Sequence, residues 1–87
     1  MIICKVIGHV WATKKEPALE GQKLMVVQQM ETDTIHVAAD VVGAGIGEQV
    51  LVVTGSTARG VFKNGNVPAD MAIVGIIDNL EIDSNVR

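Results

Sequence analysis

Across residues 2–13 the side chains alternate between two sets with a period of two. Ile2, Cys4, Val6, Gly8, Val10 and Ala12 are small and apolar, whereas Ile3, Lys5, Ile7, His9 and Trp11 are mixed. Successive side chains of a strand point to opposite faces. The first set therefore predicts the inside of a narrow barrel and the second a partly covered outer surface. Gly8, in mid-strand, predicts a bend or bulge where the barrel turns a corner. Residues 14–21 read as a loop punctuated by Pro17 and Gly21. A second strand is expected over residues 23–30, with Leu24, Val26, Gln28 and Met30 opposite Met25, Val27 and Gln29. A polar connection at 31–34 and a short strand at 35–39 complete a hairpin.

The stretch DVVGAGIGEQVLVVTGSTAR, residues 40–59, changes character. Gly43, Gly45 and Gly47 occupy every second position, which predicts a tight corner with positive φ angles or close backbone approach. A fourth strand follows at 49–53. Residues 56–61 suit one helical turn, with Ser56 as its N-cap and Gly60 near its end. A polar loop is expected over 63–70, around Asn64, Gly65, Asn66 and Pro68, then a long fifth strand over 71–82 with Gly75 in its middle. Residues 83–87 read as a frayed tail. The pattern predicts an all-β fold, a small five-stranded OB-like β-barrel with one short helical turn, in a single domain covering 1–87.

Composition sharpens this picture. Hydrophobic residues make up 48% of the chain, yet Trp11 and Phe62 are its two aromatics. The remainder is mostly Val, Ile, Ala and Leu, which suits pleated surfaces. A chain of 87 residues buries about 60% of its unfolded surface on folding, which roughly balances the cost of ordering it, so association into a ring is a natural source of further burial. Net charge is −3 with no basic run, which argues against a nucleic-acid partner. Lys14 and Lys15 are followed at once by Glu16, as in a solvated loop. The single cysteine, Cys4, excludes an internal disulfide and a CxxC metal knuckle, and its apolar strand points to inert packing. No cleavable leader and no apolar run approaching membrane-spanning length are present, so a cytoplasmic domain is expected.

Candidate chemistry is sparse. The string G-A-G-I-G departs from the dinucleotide fingerprint because Gly47 comes one place early and strand residues follow. A phosphate loop needs Gly-Lys-Ser/Thr, and Glu48 follows Gly47. Ser56 lacks the G-x-S-x-G elbow, and capping is its better reading. His9 and His36 lack the close spacing of a metal pair and suit a surface or subunit contact. Arg59, after Gly55, Ser56, Thr57 and Ala58, has little bulk beside it and can present its planar fork to a carboxylate. Asp40 and Asp70 are candidate partners for such a pairing within a ring. The subunit-interface or corner candidates are thus Asp40, Gly43, Gly45, Gly47, Ser56, Arg59 and Asp70; no catalytic, cofactor or metal residues are assigned.

Three blocks in order, MIICKVIGHVWATKKEPALEGQKLMVVQ, DVVGAGIGEQVLVVTGSTAR and DMAIVGIIDNLEI, resemble the EutN/CcmL family of bacterial microcompartment vertex proteins over almost the whole chain. By that resemblance Gly43, Gly45 and Gly47 form the family's glycine corner. Ser56, Ala58 and Arg59 match its G-S-S/A-A-R segment, and Gly75, Ile76, Ile77 and Asp78 its last V-G-I-I-D strand. Thr57 stands where the family usually has Ser or Ala, and the connection after Met30 is shorter than in many relatives. The resemblance implies a non-enzymatic structural protein, a homopentamer that caps the vertices of a polyhedral shell in the cytoplasm. Its implied partners are its own copies and hexameric microcompartment shell proteins, with no cofactor, nucleic acid or membrane. Two other readings compete: an OB-like binding module for single-stranded nucleic acid or oligosaccharide, and an enzyme using Ser56 or the histidines. A binding groove of the first kind usually stacks bases on aromatics beside basic residues, which this chain is poor in.

Overall fold

The computed structural model describes residues 1–12, 17–19, 21–62 and 69–82, with Arg59 described through its backbone. Five strands, β1 (Ile2–His9), β2 (Lys23–Gln29), β3 (Ile35–Asp40), β4 (Gln49–Thr54) and β5 (Met71–Ile76), close into a barrel in the order β1-β2-β3-β5-β4. A four-residue helix, α1 (Ser56–Arg59), lies between β4 and β5, and a 3-10 turn occupies Pro17–Leu19. The seam between β3 and β5 is parallel and short, pairing Ala39 with Ala72 and Asp40 with Ile73. The other pairs are antiparallel. The expected OB-like barrel with one helical turn is the fold.

The interior follows the alternation. Cys4, Val6, Met25, Val27, Ala38, Ala44, Val50, Val52 and Ile73 form the barrel core, while Lys5, Ile7 and His9 face outward. A second cluster sits outside the barrel, where Ala58 and Phe62 pack on Ala39, Val53 and Ala72. That layer explains why β4 reads as the continuous apolar run V-L-V-V: the strand is covered on both faces here. The bulge expected near Gly8 is present, since β1 pairs Val6 with Val27 and then Gly8 with Val26, leaving Ile7 unmatched.

Several expectations need correction. The first strand was expected to run to residue 13 but ends at His9, although Val10 N–H still reaches Leu24 O at 2.9 Å. Strand β2 ends at Gln29, and Met30 belongs to the turn. The hairpin closes through Asp33 at φ 58°, within the polar connection, and β3 runs one residue further than expected, to Asp40. Strand β5 stops at Ile76 rather than residue 82, because its partner β4 begins at Gln49, whose carbonyl accepts from Ile77 N–H at 2.9 Å. Beyond that point no ladder remains to hold an extended chain. The helix is capped by Gly55, with no side-chain bond, so Ser56 is its first residue and not its N-cap; Gly60 ends it as expected. The loop over 63–68, the tail over 83–87 and the lysine pair Lys14 and Lys15 lie outside the described residues.

Burial also sets the state of the one cysteine. Cys4 is fully enclosed in the barrel, and desolvation pushes its thiol pKa up, which disfavours the reactive thiolate. The thiol is therefore expected to resist alkylation in native buffer near neutral pH and to react at the rate of a free thiol in denaturant. Rapid native labelling, followed by mass spectrometry of the intact chain, would contradict this burial.

Candidate functional site: the carboxylate-pinned corner

Between β3 and β4 the chain must turn across one side of the barrel in eight residues, 41–48. Asp40, the last residue of β3, organises the first half of this corner. Its side chain is fully enclosed, and its carboxylate accepts from three successive backbone N–H groups: Val42 at 3.0 Å, Gly43 at 3.1 Å and Ala44 at 2.8 Å. An ionised carboxylate serves three donors at once because its two oxygens offer about four lone-pair sites. Lys23 Nζ stands 3.6 Å from Asp40 Oδ2 and donates to Ala44 O at 3.2 Å. The lysine side chain is 45% exposed, so this ion pair contributes little beside the enclosed hydrogen bonds.

The second half is held by Glu48 and β1. Gly45 N–H donates to Glu48 Oε1 at 2.6 Å, and Glu48 N–H donates to Gly45 O at 3.2 Å. Gly47 N–H reaches Val6 O at 2.8 Å while Val6 N–H reaches Glu48 O at 3.0 Å, extending the β1–β4 ladder into the corner. Gly43 at φ 81° and Gly47 at φ 95° adopt the left-handed backbone that side chains disfavour. Gly45 does not, and falls under the other expected alternative, close approach. Its constraint is space, since an added Cβ would lie 3.3 Å from Glu48 Oε1.

The sequence candidates therefore divide. Asp40, Gly43, Gly45 and Gly47 come together in one corner. Ser56 is exposed on α1, away from a capping role. Asp70 is exposed on the far side of the same turn, where its carbonyl accepts from Gly55 N–H at 2.7 Å. The Arg59 side chain lies outside the described residues. Asp40 cannot serve a neighbour's arginine, because its carboxylate is enclosed within its own chain. Lys23, Ala44 and Glu48 were missed. The available signal was an Asp placed two to four residues before the N–H groups of a glycine turn, as in Asx-turns.

No catalytic arrangement emerges from these groups. His9 stacks on Trp11 with ring centroids 5.6 Å apart, and His36 Nε2 lies 3.2 Å from Gln29 Oε1. Among the described residues no group of three His, Cys, Asp or Glu is placed to hold a metal ion. The corner leaves the side chains of Val41, Val42 and Ile46 exposed.

Comparison with known proteins decides the family. The family described as "Ethanolamine utilisation protein EutN/carboxysome" matches residues 1–78. The chain belongs to the EutN/CcmL family. It is 46% identical to the carboxysome shell vertex protein CcmL of Synechocystis sp., covering 97% of this chain and 89% of that one. It is 43% identical to the microcompartment shell vertex protein PduN of Salmonella typhimurium, over 92% of this chain and 98% of that one. Among solved structures, the GrpN pentameric microcompartment shell protein of Rhodospirillum rubrum superposes with a TM-score of 0.86 at 40% identity, covering 95% of this chain and all of that one. These EutN/CcmL relatives are structural shell proteins and not enzymes, and they leave no support for an OB-type nucleic-acid or oligosaccharide module.

Two substitutions test the corner of this EutN/CcmL barrel. Asp40→Ala strips three N–H groups of their acceptor, one of them on buried Ala44, and should cost about 2–4 kcal/mol. Denaturant unfolding at fixed protein concentration reads this, and a loss below about 1 kcal/mol would show that water replaces the carboxylate. Gly47→Ala should cost ~1–2 kcal/mol from backbone strain alone. Gly75→Ala, where the new methyl would meet Leu51 Cβ at an ordinary 3.8 Å, should cost less. Equal losses at the two positions would refute the strain argument.

Proposed function

We propose that this chain is a structural vertex protein of a bacterial microcompartment shell, acting as a homopentamer without enzymatic activity. The observation that carries this reading is near-full-length similarity to shell vertex proteins of two compartment types, joined to a close fit with a pentameric shell protein. Hexagonal tiles pack flat and cannot enclose a volume, and a pentagonal unit supplies the curvature they lack. Such a unit needs a head-to-tail interface that closes on itself, using two different patches of each subunit. A closed barrel with a rigid corner suits this task, because its surfaces hold their relative angles from copy to copy.

In this reading the rim of the ring meets hexameric shell proteins, and the shell stands in the cytoplasm. Gly43, Gly45 and Gly47 shape a corner at that rim or between subunits, and Ser56, Arg59 and Asp70 cluster about the helical turn as contacts within the ring. Native mass spectrometry should show a dominant pentamer of the 9.2 kDa chain. A stable monomer at micromolar concentration would overturn the proposal. Co-expression with hexameric shell proteins should yield closed polyhedral particles, and leaving this chain out should yield sheets, tubes or open shells in electron micrographs.

A further inference from the structure

Trp11 is 87% exposed in the single subunit. It is not a loose side chain: Val10 N–H anchors its segment to Leu24 O at 2.9 Å, and the indole lies against His9. Beside it, His9, Gln22, Lys23 and Leu24 line a shallow cleft of about 270 Å3. An exposed tryptophan held in place by its neighbours has the properties of an interface anchor, since little rotamer freedom is lost when it docks.

At the other end of β1 lies a larger apolar groove of about 370 Å3, lined chiefly by Met1, Ile2, Ile3, Met30, Leu80 and Ile82. The eight residues of β1 put the two features roughly 25 Å apart along the strand. A protruding anchor at one end and a recess at the other are the two unlike patches that a head-to-tail ring requires. The groove end is acidic: Glu31 lines it, with exposed Asp33 in the same turn and Asp78 and Glu81 flanking Leu80.

We propose that Trp11 of one subunit docks into the Met1–Ile3, Met30, Leu80 and Ile82 groove of the next copy around the ring. This rests on the ring-forming reading above, and the second copy is the occupant favoured by the opposed placement of anchor and recess and by the pentameric relative on which this barrel superposes. The flexible methionines let the groove mould to an aromatic ring. Its polar rim, Gln29, Glu31 and Gln49, offers acceptors for the indole N–H.

The chain holds one tryptophan and no tyrosine, so its emission reports this contact directly. In the assembled wild-type protein the emission should be blue-shifted and shielded from iodide, and should move to that of a water-exposed indole on dilution to monomer. Trp11→Ala and, separately, Leu80→Glu should each raise the concentration for half-assembly by about 30-fold or more, with circular dichroism unchanged. Ile35→Ser, at an exposed apolar site outside the groove, serves as the control and should leave assembly unchanged. A pentamer by native mass spectrometry whose indole is open to iodide overturns the docking while leaving the vertex reading intact. Shielded emission with an unaffected Leu80→Glu ring overturns the groove as its seat. A wild-type monomer overturns both. Should either variant fail to fold, the quenching of wild-type emission alone decides.

Discussion

The hydrogen bonds from three backbone N–H groups to Asp40 are the constraint on which the rest of this barrel depends. The carboxylate lies where β3 ends its short parallel seam with β5, and where the chain must leave toward β4. Without an acceptor there, the N–H groups of Val42, Gly43 and Ala44 would point into a region partly closed to water. Burying an unpaired N–H is expensive, so the loop would open and Ala44 would leave the core. With the acceptor in place, the chain enters β4 in one register, already bonded to Val6 through Gly47 and Glu48. A surface loop is thereby stiffened by its bonds to the strands beside it.

That stiffness connects packing to assembly. A ring closes only if each subunit presents its two contact faces at a constant angle, and small angular errors accumulate around it. The closed sheet fixes the two ends of β1 relative to each other, the pinned corner fixes the face beside it, and the layer of Ala58 and Phe62 braces β4 and β5 from outside. Burial pushes the pKa of Cys4 up, and its thiol is core filling.

Much of this architecture was legible because strand alternation and turn chemistry are local. The faces of β1 and β2 follow directly from the period-two pattern, and the mid-strand glycine marked the bulge. Errors fell where a partner, rather than the local pattern, sets the outcome. The V-G-I-I-D-N-L-E-I run has the apolar character of a long strand, yet β5 ends at Ile76 because β4 offers nothing to pair with further on. Ser56 has the chemistry of a cap, but Gly55 at φ 69° enters the helix on a path that places it at the cap position instead. Which of the two expected alternatives holds at Gly45 was likewise decided by Glu48, a contact made only once the turn is formed.

Residue types and spacing were thus sufficient to establish an all-β barrel of five strands, a tight glycine corner, an inert cysteine, and the family resemblance that the comparisons bear out. These properties depend on hydrophobic periodicity, backbone preference and short motifs, all of which act over a few residues. The covering of β4 on both faces, the meeting of the corner with Val6, and the placement of an exposed tryptophan and an apolar groove at opposite ends of β1 depend on closure. They bring together positions as distant as Met1, Met30 and Ile82, and no local pattern records which distant segment will stand opposite which.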